Sequence, residues 1–91
     1  RDFAQAKKEY NAANYTKAFD DMANVLNAGF NTKDTRVLMA KILLKGFPEE
    51  QYEYALYLLD GLKLSNNEYK ELMSMMPARY FEEEKQQKEQ K

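Results

Sequence analysis

The sequence predicts an all-α fold: antiparallel helix hairpins stacked as a short right-handed solenoid of about two repeats, closed by a C-terminal capping helix. Three observations carry this reading. Apolar residues recur at i, i+3, i+4 and i+7 in successive segments that are separated by capping and breaking residues. The stretch from Val37 to Leu62 reads as two apolar helices back to back, with Gly46, Phe47 and Pro48 as the corner. A short pattern, an aromatic followed three residues later by Ala, occurs as Tyr15…Ala18 and again as Tyr52…Ala55, 37 residues further on (55 − 18). Helix pairs repeating at this period are the sequence mark of a solenoid.

Each element follows from local signals. The first helix is expected over Asp2–Ala13, with Phe3, Ala6, Lys7 and Tyr10 at helical spacing. Asn14 is placed to cap the second helix with its side chain. That helix runs from Tyr15 to Ala28 on the stripe Tyr15, Ala18, Phe19, Met22, Val25 and Leu26, and Gly29 ends it in the left-handed conformation. Thr32 or Asn31 caps the third helix, with Asp34 at its positive end. Its apolar set of Val37, Leu38, Ala40, Ile42, Leu43 and Leu44 is wider than one face, so burial on two sides is expected, with Gly46 closing the helix.

Pro48 suits the first turn of the fourth helix, and Glu49 and Glu50 complement its dipole. Tyr52, Ala55, Leu56, Leu58, Leu59 and Leu62 form its apolar face, and Gly61 within it costs about 1 kcal/mol relative to Ala. Ser65-Asn66-Asn67-Glu68 is a capping box, with Leu64 and Tyr69 as its hydrophobic staple. The fifth helix is expected over 66–76, with Tyr69, Leu72, Met73 and Met76 inward. Pro77 breaks it, and a continuation carries the adjacent aromatics Tyr80 and Phe81. The domain is read as 1–81, with helix pairs at 2–29 and 33–62. Residues 82–91 form a charged helical or solvated tail with no apolar side chain.

Composition narrows the function classes. Apolar residues make up 44% and charged residues 32% of 91, which fits one small helical domain. A chain of this size buries roughly 60–65% of its unfolded surface, so stability is modest. Fourteen Lys and Arg against fifteen Asp and Glu leave a net charge of −1, so no broad field draws nucleic acid or anionic lipid. There is no Cys and no His, which removes thiolate metal sites, disulfides and the commonest general base. The adjacent pairs Asp20-Asp21 and Glu49-Glu50 diverge by about 100° on a helix and form no paired acid–base site. Lys33, Arg36, Lys41 and Lys45 come nearest to a basic recognition helix, set against an acidic remainder. No run approaches the roughly 20 apolar residues of a membrane span. The first residue is Arg1, which reads as a segment of a longer chain.

The elements Tyr15…Ala18 and Tyr52…Ala55, with Leu43-Leu44-Lys45-Gly46 before the second, resemble the tetratricopeptide repeat and its Sel1-like relative over roughly Asp2 to Leu64. The match departs in two places: bulky Leu43 stands where the first pair has Ala6, and Phe30 stands where a closing proline is common. The resemblance implies that the first helix of each pair lines a concave face that binds a peptide or partner helix, making the chain an adaptor or scaffold rather than an enzyme. On that face it places Phe3, Lys7, Tyr10, Asn11, Val37, Ala40 and Leu44. It implies no cofactor and no metal, a protein or peptide partner, and a homo-oligomer as a further option. The alternative is a structural or oligomerisation segment with no separate ligand. The carboxylate-gripping subset of the family places an Asn where this chain has Lys7, and one turn earlier stands Phe3, which argues against that clamp.

A repeat buries its hydrophobic face only against neighbours, so the Phe3–Ala6 side is expected to be an open end covered by upstream sequence, a partner or a second copy. The small residues of the repeat are expected at close helix contacts. Ala55→Leu should therefore cost about 1–3 kcal/mol by overpacking, read as a drop in the chemical-denaturation midpoint. An unchanged midpoint would remove Ala55 from a close contact.

Overall fold

The computed structural model describes residues 2–47 and 51–76 of the chain, and the described residues contain helices and no strand. The helices are α1 (Asp2–Asn11), α2 (Tyr15–Asn27), α3 (Lys33–Gly46), α4 (Tyr52–Leu59) and α5 (Asn66–Met73). The expected first turn at Pro48–Glu50, the break at Pro77, Tyr80, Phe81 and the tail lie outside the described residues. The all-α reading holds. α1 packs on α2, α2 on α3 and α3 on α4, in chain order.

The turn between α1 and α2 repeats the chemistry of the α2 terminus with one substitution. After α2, the Gly29 N–H donates to Leu26 O at 3.0 Å and the Phe30 N–H to Val25 O at 3.2 Å. Gly29 sits at φ +95°. This is a Schellman closure, which satisfies carbonyls the helix leaves free. After α1 the same pair of bonds runs from Ala13 N–H to Tyr10 O at 3.0 Å and from Asn14 N–H to Glu9 O at 2.8 Å. Here the left-handed position is held by Ala13, at φ +61°. Its Cβ makes that conformation cost about 1–2 kcal/mol. Asn14 stands at the N-cap of α2 as expected, but its side chain makes no capping bond, because its backbone is already spent on the Schellman closure and sits at ψ 71°, away from extended cap geometry.

Two capping boxes form, the expected one at Ser65 and a second, not foreseen, at Thr32. Thr32, rather than Asn31, caps α3: it accepts from the Thr35 N–H at 3.3 Å, and Thr35 Oγ1 accepts from the Thr32 N–H at 2.9 Å. Ser65 and Glu68 do the same for α5, at 3.1 and 2.8 Å. α4 ends at Leu59, earlier than its apolar pattern, so Gly61 lies beyond the helix at φ +78° and carries no helix penalty. α5 ends at Met73, three residues short of Met76. Tyr69, expected inward, is exposed, while Leu72 and Met76 are buried and Met73 is half-buried.

The core gathers Ala6, Ala18, Met22, Val25, most of α3, Ala55, Leu58, Leu72 and Met76. Ala6, Ala18 and Ala55 are each 0% exposed, as expected for small residues at helix contacts. The Phe3–Ala6 side is thus more closed than an open end: Ala6 is fully buried and Phe3 is half-buried against the core. Gly46 closes α3 for a reason the sequence does not announce. A Cβ there would overlap the Cβ and ring of Tyr15, so this glycine lets Tyr15 at the start of α2 lie against the end of α3. Phe47 follows it onto Phe19, with ring centroids 5.2 Å apart.

Two substitutions test these backbone features in opposite directions. Ala13→Gly should stabilise by about 0.5–1 kcal/mol, the relief of left-handed strain less the added unfolded-state entropy. Gly46→Ala should destabilise by about 1–3 kcal/mol despite the better helix former, because the new Cβ displaces Tyr15. Urea denaturation of both variants measures the two shifts.

Candidate functional site

The residues assigned to the partner face divide between two environments. On α1, Phe3, Lys7, Tyr10 and Asn11 fall at i, i+4, i+7 and i+8 and share one side of the helix. Lys7 and Asn11 are exposed, and Phe3 and Tyr10 are half-buried. The Lys7 ammonium lies 4.6 Å from the centre of the Phe3 ring, a cation–π contact that holds charge and apolar surface side by side. Tyr10 packs edge-on against Tyr15 at 5.9 Å. Burial pushes the Tyr10 phenol upward, assisted by the charge of Glu71 on α5.

On α3 the expectation fails. Val37, Ala40 and Leu44, read as lining an open face, are 6%, 0% and 5% exposed. Geometry gives the reason. Lys33, Val37, Ala40, Lys41 and Leu44 form a single stripe at i, i+4, i+7, i+8 and i+11. Lys33 Nζ lies 2.9 Å from Glu68 Oε1 and Lys41 Nζ 2.7 Å from Glu71 Oε1. These two ion pairs tie α5 to the two lysines of the stripe, and Leu72 of α5 is fully buried in the core.

The other cation of this segment is used as well. Arg36 Nη2 donates to Tyr57 O at 3.1 Å, and its guanidinium lies 5.9 Å from the Tyr57 ring. Tyr57 belongs to the last turn of α4, so Arg36 supplies positive charge to carbonyls at a helix C-terminus. Lys33, Arg36 and Lys41, the nearest thing to a basic recognition face, are therefore engaged within the chain.

Beside Phe3 a cleft of about 480 Å³ opens between the start of α1, the end of α2 and the start of α3. Phe3, Val25, Ala28 and Phe30 give it apolar walls, and Asp2 and Asp34 stand at its polar edge. Phe30, which occupies the place of a closing proline, is exposed. Tyr54 and Tyr57 on α4 are exposed and stack with centroids 6.5 Å apart.

Two carboxylates behave oppositely. Glu68 accepts from the Ser65 backbone N–H and pairs with Lys33, and these hold its carboxyl down at about 2. Glu9 on α1 is raised, chiefly by a hydrogen bond with Asp21 on α2 and then by burial. This pairing is invisible in the sequence, where Asp21 stands out only beside Asp20. The Glu9 Oε1 atom is enclosed with no hydrogen-bond partner, while Oε2 accepts from Gln5 Nε2 at 3.4 Å. Among the described residues no group of three or more metal-ligating side chains assembles.

The Glu68 contacts set an acid limit. A carboxyl lowered in the fold contributes stability above its unfolded value of 4.5, and that contribution is lost as pH falls from there through about 2. Glu68→Gln should therefore melt below the native chain at pH 7, with the gap closing by pH 2, as scanning calorimetry across that range would record. A gap that stays constant would mean that Glu68 acts without its charge. No protein-family model, curated protein or solved structure matches this chain.

Proposed function

We propose that this chain is a protein–protein interaction module, a short helical-repeat adaptor whose first-helix face receives a peptide or helix from a partner. The observation that carries the reading is the α1 surface: Phe3 and Tyr10 offer apolar contact, Lys7 and Asn11 offer polar groups at its edge, and the cleft beside Phe3 extends it. Half-buried aromatics flanked by exposed polar groups are the composition of a recognition surface. The solenoid arrangement belongs to the same proposal. It is supported by neighbour-to-neighbour packing from α1 to α4 and by the equal, complete burial of Ala18 and Ala55 at matching places in the two pairs.

A second reading, a structural or oligomerisation segment, is favoured by the stacked and exposed Tyr54 and Tyr57. Affinity capture from the native source, comparing the native chain with a Phe3→Glu, Lys7→Glu variant, separates the two. On the module reading a discrete partner is retained by the native chain and reduced at least tenfold by the variant. On the structural reading the variant changes nothing, while sedimentation reports a dimer that Tyr57→Ala weakens.

A further inference from the structure

The geometry points to the α3 stripe Lys33–Val37–Ala40–Lys41–Leu44 as a docking site for an acidic amphipathic helix, with α5 as its displaceable intramolecular occupant. The chemistry of the site is written in what now fills it. α5 brings two carboxylates three residues apart, Glu68 and Glu71, and a leucine, Leu72, that is fully buried. The stripe answers with two lysines eight residues apart, about 12 Å along the helix, and three apolar residues between or just beyond them. A partner helix presenting Glu-x-x-Glu-Leu meets the same two lysines and brings an apolar side chain beside them.

α5 is suited to leave. It has eight residues, fewer than an isolated helix needs to persist in water. Both of its ion pairs are partly open to solvent, with side chains 20–49% exposed, and such pairs hold weakly and are screened by salt. Tyr69 on its outer side makes no part of the core. Its connection to α4, residues 60–65, turns at Gly61 and carries no helix. Segments with few buried contacts open locally before the whole molecule unfolds. α1 also touches α3 directly, which sets the helix that carries the stripe beside the α1 surface. The inference rests on the interaction-module reading and specifies the partner's chemistry.

The test uses the full chain and its own segment as the probe. A labelled peptide of residues 65–76 is titrated at low salt against the native chain and against a Glu68→Lys, Glu71→Lys variant, whose own α5 is repelled by Lys33 and Lys41. The peptide should bind the variant at least tenfold more tightly than the native chain. Adding Lys33→Glu and Lys41→Glu to that variant should abolish binding of the native-sequence peptide, and a peptide carrying lysines at 68 and 71 should bind the native stripe no better than background. Hydrogen exchange of the native chain supplies a measurement independent of any variant: α5 amides should exchange at least tenfold faster than those of α2 and α3. Equal binding to both chains, absence of binding to either, indifference to the stripe charges, or α5 exchange as slow as the core would each overturn the inference. Capture of a partner sensitive to Phe3→Glu alongside any of those results would leave the module reading standing without this site. Stripe-dependent peptide binding with no such partner would do the reverse.

Discussion

The fold depends on α3 having almost no free side. Thr35, Val37, Leu38, Met39, Ala40, Ile42, Leu43 and Leu44 are all buried, a run too continuous for one helical stripe. A helix buried all round needs neighbours on every side. α2 reaches it closely because Gly46 has no side chain to hold Tyr15 away. α4 is tied to it by Arg36 at the Tyr57 carbonyl, and α5 by Lys33 and Lys41. The remaining elements are arranged by the requirement that this one helix be dry. Consequently the cations of α3 serve as clamps at the border between the buried stripe and solvent, where their stems cover apolar surface and their charges stay partly wet.

Much of this was legible residue by residue. Ser65 with Glu68 three positions later marks a helix start by its own local bonds, and Gly29 marks an end by the backbone conformation it permits. Such signals act within a turn or two of chain, so sequence spacing suffices to find them. The same local logic misjudged Asn14, since the preceding helix closes with an unforecast left-handed Ala13 and uses the same backbone. Gly46 looked like a terminator, although its reason is a contact with Tyr15, 31 positions away (46 − 15). Periodicity showed that Val37, Ala40 and Leu44 share a face. It could not show that α5 would lie on that face, because the complementarity of Lys33 with Glu68 and of Lys41 with Glu71 is apparent only once the helices are docked.

A net charge near zero conceals two local arrangements of opposite sign. Glu68 is held ionised by a cap N–H and a lysine, so acid weakens the α3–α5 contact. Glu9 is drawn toward its protonated form by Asp21, so its contribution to the α1–α2 contact is present at low pH and lost as pH rises through its elevated value. The first hairpin and the fifth helix therefore respond to acid in opposite senses. Acid relieves the repulsion between Glu9 and Asp21 across α1 and α2, and it removes the charge by which Glu68 holds Lys33.

Self-coverage of the stripe also sets what a partner must supply. A tethered helix competes at an effective concentration in the millimolar range for a short linker. If the closed form outweighs the open one by about tenfold, the apparent affinity of any rival for the stripe falls by about the same factor. A partner offering only the Glu-x-x-Glu-Leu pattern in a short peptide matches α5 without exceeding it, and stays at a disadvantage set by the tether. A partner that also engages Phe3, Lys7 and Tyr10 gains contacts that α5 does not make, and those contacts tip the exchange. On the proposed reading, the α1 surface and the α3 stripe divide the work of recognition: α1 is available for first encounter, and the stripe yields only to a ligand already held there. Such a division rejects isolated acidic helices, which find the stripe occupied, and rejects apolar peptides without carboxylates, which leave Lys33 and Lys41 unpaired over a dry surface.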